Sequence, residues 1–122
     1  MIINCTPHSV TILSNTNCEY DNRKRCYTLK GQPEVLFEFQ PSGIIPRVAM
    51  VQETIGEVDG VVLKHNTYGQ IENLPPYEEG NFLIVSAMCA NACPDRKDLI
   101  IPTDMVRDEA GNVAGCLSFS IV

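Results

Sequence analysis

The chain has 122 residues, which is enough for one hydrophobic core and too few for two, so we predict a single domain over residues 1–122. Hydrophobic residues make up 44% of the sequence and charged residues 20%, a balance typical of a folded protein. The formal net charge is −6, which disfavours duplex nucleic acid as a partner because its phosphates would be repelled.

The start of the chain, Met1–Cys5, has no basic region, long apolar core or cleavage site. No apolar run approaches the roughly 20 residues needed to span a bilayer. These features predict a cytoplasmic protein without a membrane partner. In that reducing compartment the six cysteines are expected to remain thiols.

The first half of the chain indicates short strands. β-type runs at residues 2–5 and 10–13 are separated by Pro7-His8, and residues 35–39 alternate in the pattern of a half-buried strand. The polar stretch at about 14–33 lacks this periodicity and predicts an exposed loop.

A long hairpin is predicted in the middle of the chain. Residues 47–57 and 61–65 flank Asp59-Gly60, a dipeptide that tolerates the positive φ of a tight turn. Tyr68 to Glu72 extends this ladder, which ends before Pro75-Pro76.

The last third of the chain predicts a buried strand, a helix and a hairpin. Four apolar residues at 82–85 suit a strand covered on both faces, Ser86 can cap a short helix near 86–93, and a second strand covers 99–101. A hairpin turning near Gly111 ends the domain. We therefore expect an α+β, β-rich fold built on a mostly antiparallel sheet or a partly open barrel.

No recognisable catalytic motif occurs in the sequence, so we predict no enzyme activity, catalytic residue or cofactor. His8 and His65 are expected to be surface or hydrogen-bonded structural histidines. Cys89 and Cys93 could share one helix face and hold zinc with a histidine, but a lone CxxxC favours packing over metal binding.

Short motifs spread over most of the chain show a resemblance. They are Asn4-Cys5-Thr6-Pro7-His8, Pro41-Ser42-Gly43, Arg47-Val48, Tyr68-Gly69, Leu74-Pro75, Ile84-Val85-Ser86, Pro94-Asp95-Arg96-Lys97-Asp98, Val106-Arg107-Asp108, Gly111 and Gly115. Together they resemble a group of small, uncharacterised proteins encoded by phages and prophages. The resemblance implies a setting, the cytoplasm of an infected bacterium, where small accessory proteins counter host defence. Residues 14–33 and the cysteine content depart from the group's pattern.

Single cations and aromatic rings are the residues best suited to a ligand. Guanidinium groups match phosphate geometry, and aromatic rings can stack on a nucleobase. The alternatives are surface ion pairs for the arginines, such as Arg96 with Asp95 or Asp98 and Arg107 with Asp104 or Asp108, and core positions for the rings. The predicted ligand-binding residues are Arg96, Arg107, Arg47, Tyr68, Phe82 and Asn91.

The leading hypothesis is an anti-defence protein that sequesters a small nucleotide-derived immune signal, of the cyclic oligonucleotide or cyclic ADP-ribose type. The alternatives are a protein-protein inhibitor of a host defence protein and a small structural or regulatory phage protein. We also expect a homo-oligomer, because the apolar strands at 82–85 and 99–101 offer more sheet surface than one helix can cover.

Overall fold

The computed structural model describes every residue, 1–122, as ten strands and one short helix. The elements in chain order are β1 (Ile2–Asn4), β2 (Val10–Leu13), β3 (Cys18–Asp21), β4 (Cys26–Leu29), β5 (Val35–Phe39), β6 (Arg47–Val58), β7 (Val61–Glu72), β8 (Phe82–Ile84), α1 (Ala87–Ala92), β9 (Leu99–Arg107) and β10 (Val113–Ile121). The β-rich fold with one short helix is as predicted.

Eight of the strands form one sheet, in the order β1-β8-β9-β10-β2-β5, with the β3–β4 hairpin joined to β9 through β4. The sheet branches because β8 pairs with the first residues of β9, and β4 pairs with its last residues. Four pairings are parallel: β1–β8, β8–β9, β4–β9 and β2–β10. The expectation of a mostly antiparallel sheet is therefore wrong, because strands far apart in sequence pair in addition to the local hairpins.

Asn4 brings the two ends of this sheet together. Its carbonyl accepts a hydrogen bond from Ser42 N at 2.8 Å, just after β5, and a bridge pairs Asn4 with Pro41. The buried Asn4 side chain donates from Nδ2 to the carbonyls of His8 and Phe39 at 2.8 and 2.9 Å, and its Oδ1 accepts from Thr6. The sheet is thereby closed into a nearly complete barrel.

The polar segment expected as a loop at 14–33 contains the β3–β4 hairpin. Asp21 Oδ1 accepts from the backbone N–H groups of Arg23 and Lys24, and Arg25 takes a positive φ of 55° to complete the turn. Tyr20 and Tyr27 pack edge to face with ring centroids 5.2 Å apart. Polar composition concealed these strands because much of the hairpin's surface faces solvent.

The apolar core lies in two clusters. Leu83, Val85 and Leu99 pack with Cys89 and Ala90 of α1. The second cluster, Leu13, Leu29 and Val106, lies where the β3–β4 hairpin meets the sheet. Ser86 Oγ accepts from Cys89 N at 3.3 Å, so the predicted helix and its cap are confirmed.

Apart from Phe82, which is exposed, and Ile101, which is partly buried, the strand residues expected to leave apolar surface for an oligomer are buried within the chain. Ile84 and Val85 are almost fully enclosed, and so are Leu99 and Ile100. The reason first given for self-association is therefore wrong.

Both predicted hairpins are present. β6 and β7 are joined by Asp59 and Gly60 at φ values of 53° and 82°, and each strand has 12 residues. The C-terminal hairpin pairs β9 with β10 and turns at Gly111, whose φ is 88°.

Candidate ligand-binding groove

A groove of about 380 Å³ lies where the base of the β6–β7 hairpin meets helix α1. Val48 and Tyr68 come from the two strands, and Met88, Asn91 and Ala92 come from the helix. The helical residues share a face because positions three and four apart are neighbours on a helix surface. This volume lies within the range of about 300 to 1,000 Å³ typical of small-molecule sites.

The chemistry of the groove is apolar with two polar groups. Val48, Met88 and Ala92 supply apolar walls, Tyr68 supplies a ring and a hydroxyl, and Asn91 supplies an amide. An amide both donates and accepts hydrogen bonds, so Asn91 can pair with the edge of a heterocycle. The tyrosine ring offers a face on which a flat ligand can stack. No charged side chain lines the groove.

The structure brings together two of the six predicted site residues, Tyr68 and Asn91, which are 23 positions apart in the sequence. Arg47 precedes the lining residue Val48 at the base of the hairpin, but it does not itself line the groove. Phe82, at the start of β8, is partly exposed and lies outside the groove.

Arg96 forms an ion pair within the chain. Its Nε and Nη2 donate to the two carboxylate oxygens of Asp98 at 2.8 and 2.7 Å, and Nη2 also donates to the carbonyl of Pro75 at 3.0 Å. These hydrogen bonds raise the pKa of Arg96 and lower the pKa of Asp98. This is the ion pair that the sequence offered as an alternative to ligand binding. Pro75 also borders a second groove of about 510 Å³, between residues 43–45 and 73–76.

Arg107 lies at the end of β9, where its Nη1 donates to the carbonyl of Gly111 at 2.9 Å. Its expected carboxylate partners, Asp104 and Asp108, make other contacts. Asp104 accepts from Ser118 Oγ at 2.6 Å, and Asp108 accepts from Asn112 N at 2.9 Å. Arg107 therefore supports the last hairpin in this structure.

Three groove residues were absent from the sequence prediction: Val48, Met88 and Ala92. Their helical spacing is the signal that could have found Met88 and Ala92, because residues three and four apart share a helix face with Asn91. What the sequence did not show was that the long hairpin packs beside this face.

The six cysteines are all free thiols. Cys89 Sγ donates to the carbonyl of Pro46 at 3.4 Å, which ties α1 to the segment entering β6. Burial raises the pKa of the thiols of Cys5, Cys18 and Cys116, so these groups stay protonated at neutral pH. No three His, Cys, Asp or Glu side chains come close enough together to hold a metal ion.

Comparison of the chain with protein-family models, with curated proteins and with solved structures gave no match. The single helix spans six residues, and the fold contains no helix of the length and apolar character required to cross a membrane.

Proposed function

We propose that the protein binds a small nucleotide-derived ligand in the groove between α1 and the β6–β7 hairpin, and acts by sequestering it. The observation that carries the proposal is the meeting of Tyr68 and Asn91 at one apolar groove. A nucleobase would stack on the Tyr68 ring and pair its polar edge with the Asn91 amide.

The phosphate part of such a ligand needs a cation, which the lining of the groove does not contain. Arg47 is next in sequence to Val48, and no carboxylate lies within ion-pair distance of its guanidinium group. A guanidinium group can bind phosphate through two parallel hydrogen bonds. Because successive side chains of a strand alternate between its two faces, Arg47 lies on the face of β6 opposite Val48. We propose Arg47 as the phosphate contact for a ligand that extends around the edge of β6, in preference to Arg96 and Arg107, whose guanidinium groups already donate within the fold.

Sequestration requires affinity and no turnover, in keeping with a sequence that lacks a catalytic motif. The biological setting, defence against phage in a bacterial cytoplasm, comes from the resemblance to phage-encoded proteins. In that setting the ligand class is a cyclic oligonucleotide or a cyclic ADP-ribose species.

A depletion assay tests the proposal. The purified protein is incubated with a panel of cyclic nucleotides and ADP-ribose derivatives, free ligand is removed, and the heat-released material is analysed by mass spectrometry. Release of intact ligand supports sequestration, whereas release of an altered ligand indicates an enzyme. If no member of the panel is depleted, the proposal is wrong.

Variants connect the result to the groove. Tyr68→Ala and Asn91→Ala should each weaken binding at least about 10-fold, because each removes a stacking or hydrogen-bonding partner. Tyr77→Ala is the matched control, since Tyr77 is an exposed tyrosine that does not line the groove. Equal losses of ligand affinity in Tyr68→Ala and Tyr77→Ala would show that the groove is not the binding site.

A second candidate function is inhibition of a host protein by direct binding. The observation that favours it is the large exposed apolar surface of the β6–β7 hairpin, on a protein of net charge −6. In that case the panel of ligands stays intact and undepleted, and Glu53→Ala or Glu57→Ala weakens inhibition of a basic target.

A further inference from the structure

The β6–β7 hairpin projects from the domain as an arm, defined here as residues 47–72. At roughly 3.3 Å per residue, each 12-residue strand extends for about 40 Å. The two strands pair only with each other and contact α1 near the base of the arm. Every residue of the two strands is exposed except Val48 and Ile71, which are partly buried.

The arm exposes a large apolar surface to water for a two-stranded ribbon. Eight of its large apolar side chains are between 41% and 64% exposed: Met50, Val51, Ile55, Val58, Val61, Val62, Leu63 and Tyr68. A two-stranded ribbon without a covering layer is only marginally stable. Apolar exposure on this scale marks an interaction surface.

The accessible surface of the whole chain is larger than that of a compact monomer of the same mass. The chain exposes 8256 Å². A compact monomer of 13.5 kDa exposes roughly 6,500 Å². The excess of about 1,700 Å² is larger than the roughly 800 Å² that each partner buries in a standard interface. The excess belongs to the whole chain, and it is larger than the area that one copy buries in a standard dimer interface.

The strand register separates the two faces of the arm. Residues directly opposite in an antiparallel pair share a face, as Glu53 does with His65 and Val58 with Val61. Alternate residues of one strand also share a face, so Val51 lies on the face of Glu53, and Val61 lies on the face of His65. A register shift between Thr54 and Gly56 adds Ile55 beside Leu63 on that face. We name this the distal apolar face, formed by Val51, Ile55, Val58, Val61 and Leu63.

The opposite face is more polar along most of its length. Gln52 and Thr54 of β6 lie opposite Asn66 and Lys64 of β7. Near its base this face carries Tyr68, which lines the groove described above. The distal apolar face therefore points away from the groove.

Two register shifts also interrupt the arm, one between Val48 and Met50 and one between Thr54 and Gly56. Bulges of this kind oppose the addition of a further strand at an edge. Packing through the face is accordingly favoured over pairing at the edge. None of the charged residues of the arm forms an ion pair within the chain, since the two ion pairs of the structure lie elsewhere.

We propose that the distal apolar face is a self-association surface, covered by the same face of a second copy of this chain. A two-fold axis places like faces together, so that apolar residues meet apolar residues. Glu53 and His65 form a polar pair in the middle of each face. An antiparallel arrangement of the two arms then brings Glu53 of one copy near His65 of the other. This inference does not depend on the ligand proposed above.

Analytical ultracentrifugation between 1 and 100 µM tests the proposal. The unmodified chain should sediment as a dimer or a larger even assembly. Ile55→Glu should raise the dissociation constant at least about 30-fold, because it places a charge within the apolar contact. Thr54→Glu adds the same charge one residue away on the opposite face and should change the constant less than about 3-fold.

The possible outcomes distinguish which molecule covers the distal apolar face. A monomer at 100 µM overturns the proposal and leaves the face to a different protein. A dimer that resists Ile55→Glu but dissociates in Phe37→Glu also overturns it, since the exposed edge strand β5 would then be the interface. Hydrogen exchange on the unmodified chain avoids any effect of substitution on folding. Amides of the arm should exchange more slowly at 200 µM than at 2 µM, whereas those of the β3–β4 hairpin should not.

Discussion

The ion pair between Arg96 and Asp98 makes a prediction about stability. The Asp98 side chain is only 3% exposed, and both of its carboxylate oxygens accept hydrogen bonds from Arg96. Arg96→Ala leaves this carboxylate buried without its cation and removes the donor to Pro75 O. We expect the variant to be strongly destabilised at neutral pH.

The magnitude follows from the burial of the two groups. Removing one partner of a fully buried ion pair costs about 3 to 5 kcal/mol. The Arg96 side chain is 23% exposed, so water can reach part of the site and the lower end of this range applies. A loss of about 3 kcal/mol in a domain of this size lowers Tm by roughly 10 °C.

The pH dependence has a definite sign. Hydrogen bonds from Arg96 hold the pKa of Asp98 below its usual value, while burial acts in the opposite direction. A carboxyl group with a depressed folded-state pKa stabilises the fold above its unfolded pKa of about 3.9, and this contribution is lost as pH falls through the folded-state pKa. The difference between the original chain and Arg96→Ala should therefore be largest near pH 7 and shrink below pH 4.

Urea denaturation at pH 7 and at a series of lower pH values measures this difference. Arg23→Ala, in the exposed β3–β4 turn, is the control and should change the free energy of unfolding by less than about 0.5 kcal/mol. A loss below 1 kcal/mol in Arg96→Ala, or one that does not change with pH, would refute the assignment of the pair as a structural contact.

Two further predictions concern the closure of the sheet. Gly115→Ala should cost about 1 to 3 kcal/mol, because an added Cβ would lie 2.7 Å from Thr11 O, whereas Gly69→Ala, with its nearest contact at 3.4 Å, should be nearly neutral. Equal urea midpoints for these two glycine variants would contradict the close approach of β2 and β10. Asn4→Ala should cost about 2 to 4 kcal/mol, since it removes the Nδ2 donor to the His8 and Phe39 carbonyls and the Oδ1 acceptor of the Thr6 amide and hydroxyl. A loss below 1 kcal/mol in thermal or urea unfolding would show that water replaces the Asn4 amide.

Local features of the fold were predictable from the sequence. Asp59-Gly60 and Gly111 marked their turns, and Ser86 marked the start of the helix, because each signal acts within a few residues. The parallel pairings were not predictable in this way. β1 pairs with β8 and β2 pairs with β10 across most of the chain, and no local pattern specifies such partners.

The candidate site was predictable only in part. Tyr68 and Asn91 were named for their ligand chemistry, but their meeting depends on how the arm packs against α1. Arg96 carried the same ligand signal, yet its neighbour Asp98 engages it. The charge of a side chain, read from the sequence, does not show which group it will bind in the folded protein. We also expected exposed apolar surface on the strands at 82–85 and 99–101, most of which is buried in the core. The exposed apolar surface lies instead on the arm.

The pairing of β2 with β10 has a consequence for synthesis of the protein. Cys116 pairs with Ile12, so the sheet cannot close until residue 116 has left the ribosome. At about 5 to 20 residues per second, β2 waits roughly 5 to 20 seconds for this partner. The β6–β7 hairpin needs no distant strand and can form on the microsecond scale as soon as it emerges. The arm of a nascent chain would therefore expose its apolar side chains for several seconds before the sheet that carries it is complete.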